Sequence, residues 1–450
     1  MLRKKAPMDL LHGPLAGQLL RFTIPIALSS IVQQLFNAAD TAVAGRFGSE
    51  NTLAAVGTNT ETVALIVALS AGLSVGVNVH VAALIGKGRK SGIPSAIRTA
   101  VCLAVLIGLF GLIAGQGAAA PLLRLLRTPD SIFRPAEQHL RIYLLGYPFL
   151  LLYDFGAAVL RARGDSRYPF FALMLSGVIN VGLNVFFVVV LRTDVAGVAA
   201  ATGISTLFSA VLVLFRLAKD EPRCLSFGGL RGMVSSAAAM LKTGVPSAVQ
   251  GAVFCFANMF VQASVNRFGE TAIAGSTIAM SFEYFTYYII TAFGQTATTF
   301  IGQNAAAGQT ARCKTIFLYC LGLSTVCSAV PIFTIVLFRN ACSGLFTPDR
   351  AIIDSAAVRI LCILLFEPVC SLYEIPAGVM RGSGHALWPA AATVIGTCAF
   401  RIIWIGTVFR AAPTLPMLYH AFPLSWAATI LLVNAGWLIL LRRKNSPSAL

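Results

Sequence analysis

The sequence predicts an all-α integral membrane protein of about twelve transmembrane helices, arranged as two six-helix lobes related by a parallel internal repeat. Three observations lead there. Of the 450 residues, 57% are hydrophobic and only 11% charged, with mean hydropathy +0.79; a soluble chain would carry about a quarter charged residues. Apolar segments of at least the ~20 residues that a bilayer requires recur about twelve times. The second half of the chain also repeats the first.

The expected spans run over residues 19–44, 53–84, 94–117, 139–160, 169–191, 196–217, 238–265, 272–302, 314–338, 356–380, 387–410 and 420–441. Glycine and proline inside them fit, because membrane helices tolerate both better than soluble ones do. The opening "MLRKKAPMDLLHGPLAGQLLRF" has no short apolar core followed by a small-residue cleavage site. The first span is therefore expected to target the chain without removal of a leader.

Lysine and arginine set the orientation. With the N-terminus cytoplasmic, the inner segments include "LRKK", "GKGRK", "RARGDSR", "ARCK", "MRGSG" and "RRK". They hold about twenty basic residues against about ten outside, the bias that the positive-inside rule requires. An even number of spans puts both termini in the cytoplasm. The expected division is 1–217 for the N-terminal lobe, 218–242 for a cytoplasmic connection, and 243–450 for the C-terminal lobe with a short cytoplasmic tail. The net charge of +17 is accounted for by these inner loops, so no nucleic-acid partner is expected. Ten cysteines, mostly inside apolar segments and with no CxxC pair, read as buried structural thiols, not as disulfides or metal ligands.

The repeat is read without gaps. "PIALSSIVQQLFNAADTAVAGRFG" from Pro25 lies on "PSAVQGAVFCFANMFVQASVNRFG" from Pro246, so that Asn37, Arg46 and Gly48 meet Asn258, Arg267 and Gly269. "PFLLLYDFGAAVLRARGDSRYP" from Pro148 lies on "PVCSLYEIPAGVMRGSGHALWP" from Pro368, so that Asp154 meets Glu374 and Arg161 meets Arg381. Six spans separate the copies, so both halves cross the membrane in the same sense. Transporters built on such repeats place substrate between the halves.

Pro25 with Asn-x-x-Asp in span one, the "RFG" after it, "ARGDSRYP" and "RGSGHALWP" at matching places, "LKTGVP" opening the second half and "FGQTATTFIGQNAAAG" in span eight together resemble the multidrug and toxic compound extrusion (MATE) family. The resemblance covers about residues 15 to 441. It implies two facing six-helix lobes, and antiport of small organic cations against protons or sodium ions across the plasma (inner) membrane, by a single chain without a cofactor. The wider superfamily includes lipid-linked oligosaccharide flippases, which is the alternative reading. A flippase would want a cationic cavity, whereas here only Arg401 is read as lying deep in a span.

The resemblance is nearest to the branch typified by the DNA-damage-inducible F proteins, whose coupling site lies in the N-terminal lobe. It implies Asp40 in span one, Asn180 and Asn184 in span five and Thr202 in span six. Asn184 departs from the pattern, which commonly has Asp there, and this leaves one negative charge instead of two. The repeat sets Val261 opposite Asp40, and span seven holds no acid.

The residues themselves point the same way. An acid inside a membrane span is costly to keep and marks a functional site by default; the other half of the repeat shows that the fold does not need one there. Asn37, three residues before Asp40, is expected on the same helix face. Glu283 lies in "MSFEYFTYYII" beside Tyr284 and Tyr287, and a carboxylate among aromatic faces suits a lipophilic cation. Asn258, Glu61 and Glu367 are weaker candidates for the same role. Asp154 and Glu374, present in both halves, are expected to be structural, tying helix ends or inner loops. Arg401 is expected to pair with an acid, Glu367 or Glu374, or with backbone carbonyls, and His80 to be structural. No Walker-type loop, zinc cluster or Ser-His-Asp constellation is present, so energy is expected from an ion gradient, and no enzyme activity is expected.

Overall fold

The computed structural model describes residues 8–48, 50–125, 128–222 and 230–444. Among them no strand occurs. Nine helices are long and apolar enough to cross a membrane, and ten if one bent pair counts as a span. Each of the twelve expected segments is helical. In the first half they are Leu15–Phe47, Glu50–Gly86, Ile93–Leu125, the pair Asp130–Leu145 and Tyr147–Ala162 bent by 43° at Gly146, Arg167–Val185, and Asp194–Asp220. In the second half they are Leu230–Val265, Glu270–Ala306, Thr310–Leu337, a broken tenth span, a broken eleventh, and Ala421–Lys444. Span ten runs as Arg350–Cys362, a 3-10 stretch Leu364–Cys370, and Ser371–Gly382. Span eleven runs as Leu387–Thr393, a π-turn Val394–Ala399, and Phe400–Gly406. Span eight is long enough but rich in Thr, Ser and Tyr, and span ten is interrupted at Pro368. This is why apolarity and length alone find fewer than twelve.

The described chain divides into two compact units. One contains residues 8–12 and Ile24–Ala248; the other contains Gly13–Thr23 and residues 249–444. Their limits differ from the expected ones. Span seven starts at Leu230, inside the stretch 218–242 read as a connection, and its residues up to Ala248 pack in the first unit. Residues 223–229 of that stretch lie outside the described residues.

Each unit carries apolar side chains on its surface as well as in its core. Leu318, Val326, Val330, Phe333 and Leu337 form an exposed apolar stripe along span nine, and Leu106, Phe110 and Ile113 one along span three. Polar side chains are buried beside the apolar core, among them Asn59, Asn78, Asn180, Asn184, Gln303 and Asn304. In lipid the hydrophobic effect does not drive helices together, so small residues and internal hydrogen bonds do that work. In the second unit, spans eight and ten meet along Gly294, Thr298, Gly378 and Gly382. A Cβ added at Gly378 would stand 2.5 Å from the Gly294 carbonyl oxygen, and the Thr298 hydroxyl donates to the Gly378 carbonyl at 3.0 Å. In the first unit, Asn78 of span two donates to the Ala158 carbonyl of span four at 3.1 Å.

Candidate ion-coupling site

Spans one, five and six bring Asp40, Asn180, Asn184 and Thr202 together in the first unit. Asn184 Nδ2 donates to Asp40 Oδ1 at 2.5 Å, and the Thr202 hydroxyl reaches Asp40 Oδ2 at 3.0 Å. Asn184 Nδ2 also lies 3.2 Å from Asn180 Oδ1, and Asn180 Nδ2 donates to Thr202 Oγ1 at 3.3 Å. The geometry follows from local sequence. Asn180 and Asn184 are one turn apart, so their side chains stack on one face, and both are buried. Directly after Asn184 the helix opens into a π-turn, Phe186–Val190. Such turns are frequent at functional sites.

Among the described residues no basic group pairs with Asp40. Its carboxylate is held by two neutral donors, and the buried Asn184 Oδ1 has no hydrogen-bond partner. The cluster therefore offers one charge and an uncommitted carbonyl oxygen, which fits a proton or a small monovalent cation as cargo. A cavity of about 20 Å³, lined by Thr202, Tyr143, Gly146, Tyr147 and Thr206, lies against the cluster and has room for about one water.

Asn37 does not join this cluster. It is exposed, and its amide donates to Gln34 Oε1 at 3.1 Å along its own helix. A spacing of three residues placed it near Asp40 on the wheel, but the neighbouring spans close over Asp40 alone.

The second unit holds the other candidates. Glu283 is clasped by Arg359, with Nε to Oε1 at 2.7 Å and Nη2 to Oε2 at 2.8 Å. Arg359 also donates to Ser276 Oγ at 2.7 Å and lies over the Tyr419 ring. Tyr284 stacks on Tyr288, and Tyr287 stacks on Phe254. Tyr287 also approaches the Tyr373 hydroxyl at 3.4 Å. Glu367 is buried and accepts from Thr286 at 2.5 Å. In the first unit Glu61 is exposed.

The repeated acids are held inside the helix bundles and not at inner loops. Asp154 accepts from Ser70 of span two at 2.6 Å, and Glu374 pairs with Arg381 at 2.5 Å on its own helix. Arg401 pairs with neither Glu367 nor Glu374. Its partners are neutral: Ser425 Oγ at 3.1 Å from Nε and Asn258 Oδ1 at 3.0 Å from Nη1. It is also not the only deep arginine, since Arg359 and Arg381 are buried as well. Arg359 was legible as a basic residue inside the apolar "AAVRILC". Its carboxylate partner, 76 residues away, was not.

With the fold and site in view, comparison with known proteins is decisive. The MatE family model matches residues 25–186 and 246–405, one copy in each half. The chain belongs to the MatE family. Among its curated relatives, the probable multidrug resistance protein YpnP of Bacillus subtilis (strain 168) is 28% identical over 384 residues, 84% of this chain and 85% of that one. YoeA of the same organism, also described as a probable multidrug resistance protein, is 22% identical over 431 residues, 90% and 93% of the two chains. Two solved structures share the fold at 22% identity. One is an outward-facing multidrug resistance MATE transporter of the MOP superfamily, with TM-score 0.86 over 98% of each chain. The other is a MATE protein in complex with MaD3S, with TM-score 0.87 over 99% of this chain and 100% of that one. The MatE chain described here is thus an integral membrane transporter, from a family whose members act on small molecules.

Proposed function

We propose that this MatE protein is a secondary antiporter that exports organic cations or drugs in exchange for protons, by alternating access of its two lobes. In this reading it works as a monomer in the plasma (inner) membrane, with both termini cytoplasmic. The observation that supports it is the Asp40 cluster: one carboxyl, without a basic partner, held by Asn184 and Thr202. A single carboxyl that holds either a proton or a cationic substrate, but not both, couples two opposed fluxes with no further machinery. The relatives named as multidrug resistance proteins support export of drugs.

Protons are favoured over sodium by charge. A sodium ion leaving water needs anionic oxygen to offset its lost hydration. Here Asp40 supplies one negative charge, while Asn180, Asn184 and Thr202 supply only dipoles. A proton needs Asp40 alone. The test is uptake of a cationic dye into inside-out vesicles under an imposed pH gradient or an imposed sodium gradient. Transport driven by the pH gradient with sodium absent is expected. Transport driven by sodium alone, with no response to pH, would overturn the proton assignment.

A further inference from the structure

The C-terminal lobe contains a second polar site, of opposite sign, that the antiport reading leaves unused. Arg401 is completely enclosed, at 0% exposure. Among the described residues its guanidinium meets only neutral oxygens, those of Ser425 and Asn258, and its Nη2 has no hydrogen-bond partner. The other buried arginines of this lobe are treated differently: Arg359 has Glu283 and Arg381 has Glu374. A buried charge without a counter-charge is expensive to maintain in a membrane interior, and a lobe that neutralises two such groups leaves this one bare.

Its place in the repeat is equally specific. Asn258 of span seven stands where Asn37 stands in span one, and Ser425 of span twelve where Ser205 stands in span six. Arg401 lies in span eleven, the counterpart of span five. The site is therefore built from spans seven, eleven and twelve, the repeat counterparts of the spans that form the Asp40 cluster. A π-turn, Val394–Ala399, ends just before Arg401, as the π-turn Phe186–Val190 begins just after Asn184. Phe422 replaces Thr202 at the matching position and lies under the guanidinium at 3.9 Å, with Phe254 at 5.7 Å. A guanidinium between aromatic rings recognises a planar carboxylate through paired donors and an aromatic body through stacking.

We propose that Arg401 is the group by which the C-terminal lobe recognises the carboxylate of an aromatic substrate. This deepens the export reading and rests on it. Entry of the carboxylate requires the Phe254 and Phe422 rings to part and fills the free Nη2 donor.

The test compares two dyes, rhodamine B, which has a free carboxylate, and its ethyl ester, which has none. Binding to the full-length protein in nanodiscs is read by fluorescence anisotropy, and the quantity of interest is the ratio of the two affinities. The unaltered protein should bind rhodamine B about tenfold or more tighter than the ester. Arg401→Gln should bring the ratio to one, and Arg401→Lys should leave an intermediate value. Should Arg401→Gln fail to fold, Asn258→Asp sets an internal carboxylate against the guanidinium and should abolish the preference by itself. Equal affinities in the unaltered protein, or a preference that survives these substitutions, overturn the proposal. Asp40-dependent, pH-driven export of the ester, measured in parallel, separates the two readings. If it persists while the ratio is insensitive to Arg401, only the carboxylate site is wrong; if it is absent, the antiport reading itself has failed.

Discussion

At the scale of single residues, Asp40 is set apart by what faces it: Asn184 and Thr202, two neutral donors, and among the described residues no basic group. Asp40, Asn180, Asn184 and Thr202 could be named because an intramembrane acid stands out and because a family resemblance placed the rest. Asn37 was misplaced because helical spacing says which residues share a face, not which face the neighbours cover. Arg401 meets Ser425 and Asn258, not the acids or backbone carbonyls expected, since pairing across 24 to 143 residues has no local signature. Two outcomes are expected here. Asp40→Asn should abolish drug resistance in a sensitive host at normal protein levels, because an amide cannot alternate between protonated and ionised. Resistance is scored by minimal inhibitory concentration and expression by immunoblot. Asn184→Asp should add sodium dependence or strengthen it, because it supplies a second carboxylate beside Asp40. Vesicle transport at clamped pH with sodium varied reads that change directly.

At the scale of elements, every expected span is a helix, but the breaks within them were not legible. The bend at Gly146, the 3-10 stretch around Pro368 and the two π-turns depend on packing that hydropathy does not record. The clasp between spans eight and ten is such a case. Glu283 and Arg359 form a bidentate pair whose side chains are 12% and 4% exposed. Glu283→Gln leaves the guanidinium buried without its counter-charge, and the expected cost is about 3 kcal/mol or more. A lowered midpoint in thermal unfolding of the purified protein, partly restored by adding Arg359→Met, checks it. The glycine seam of the same two spans makes a second prediction. Gly378→Ala forces a Cβ against the Gly294 carbonyl, so that backbone must shift, and about 1–3 kcal/mol of destabilisation is expected. The same unfolding assay measures it.

At the scale of the whole chain, the repeat was the most legible feature of all, because two long gapless matches at nearly one offset need no structure to be seen. The limits of the compact units were less so. Spans one and seven each contribute to both units, and the division falls within one to two residues of Pro25 and Pro246, not in a loop. A boundary read from linker composition could not have found it. Orientation follows from lysine and arginine alone: an epitope tag added after residue 450 should be reached by antibody only in permeabilised cells. Staining of intact cells would place that end outside.

The π-turns bear on which changes of length the chain can absorb. A π-turn holds one residue more than regular α-helix needs, with the flanking segments already in phase across it. Removing Ile395, an outward residue of the turn Val394–Ala399, should let the turn relax to α-helix while Arg401 keeps its direction. Removing Leu431, equally outward but in the regular helix Ala421–Lys444, would swing every later side chain by about 100°. Deletion scanning of the last two spans, read as the yield of folded protein, should therefore show a tolerant island at 394–399 flanked by positions where one lost codon is ruinous. Among the described residues, spans five and eleven are the places where this fold has room to lose a residue without exchanging its inside for its outside.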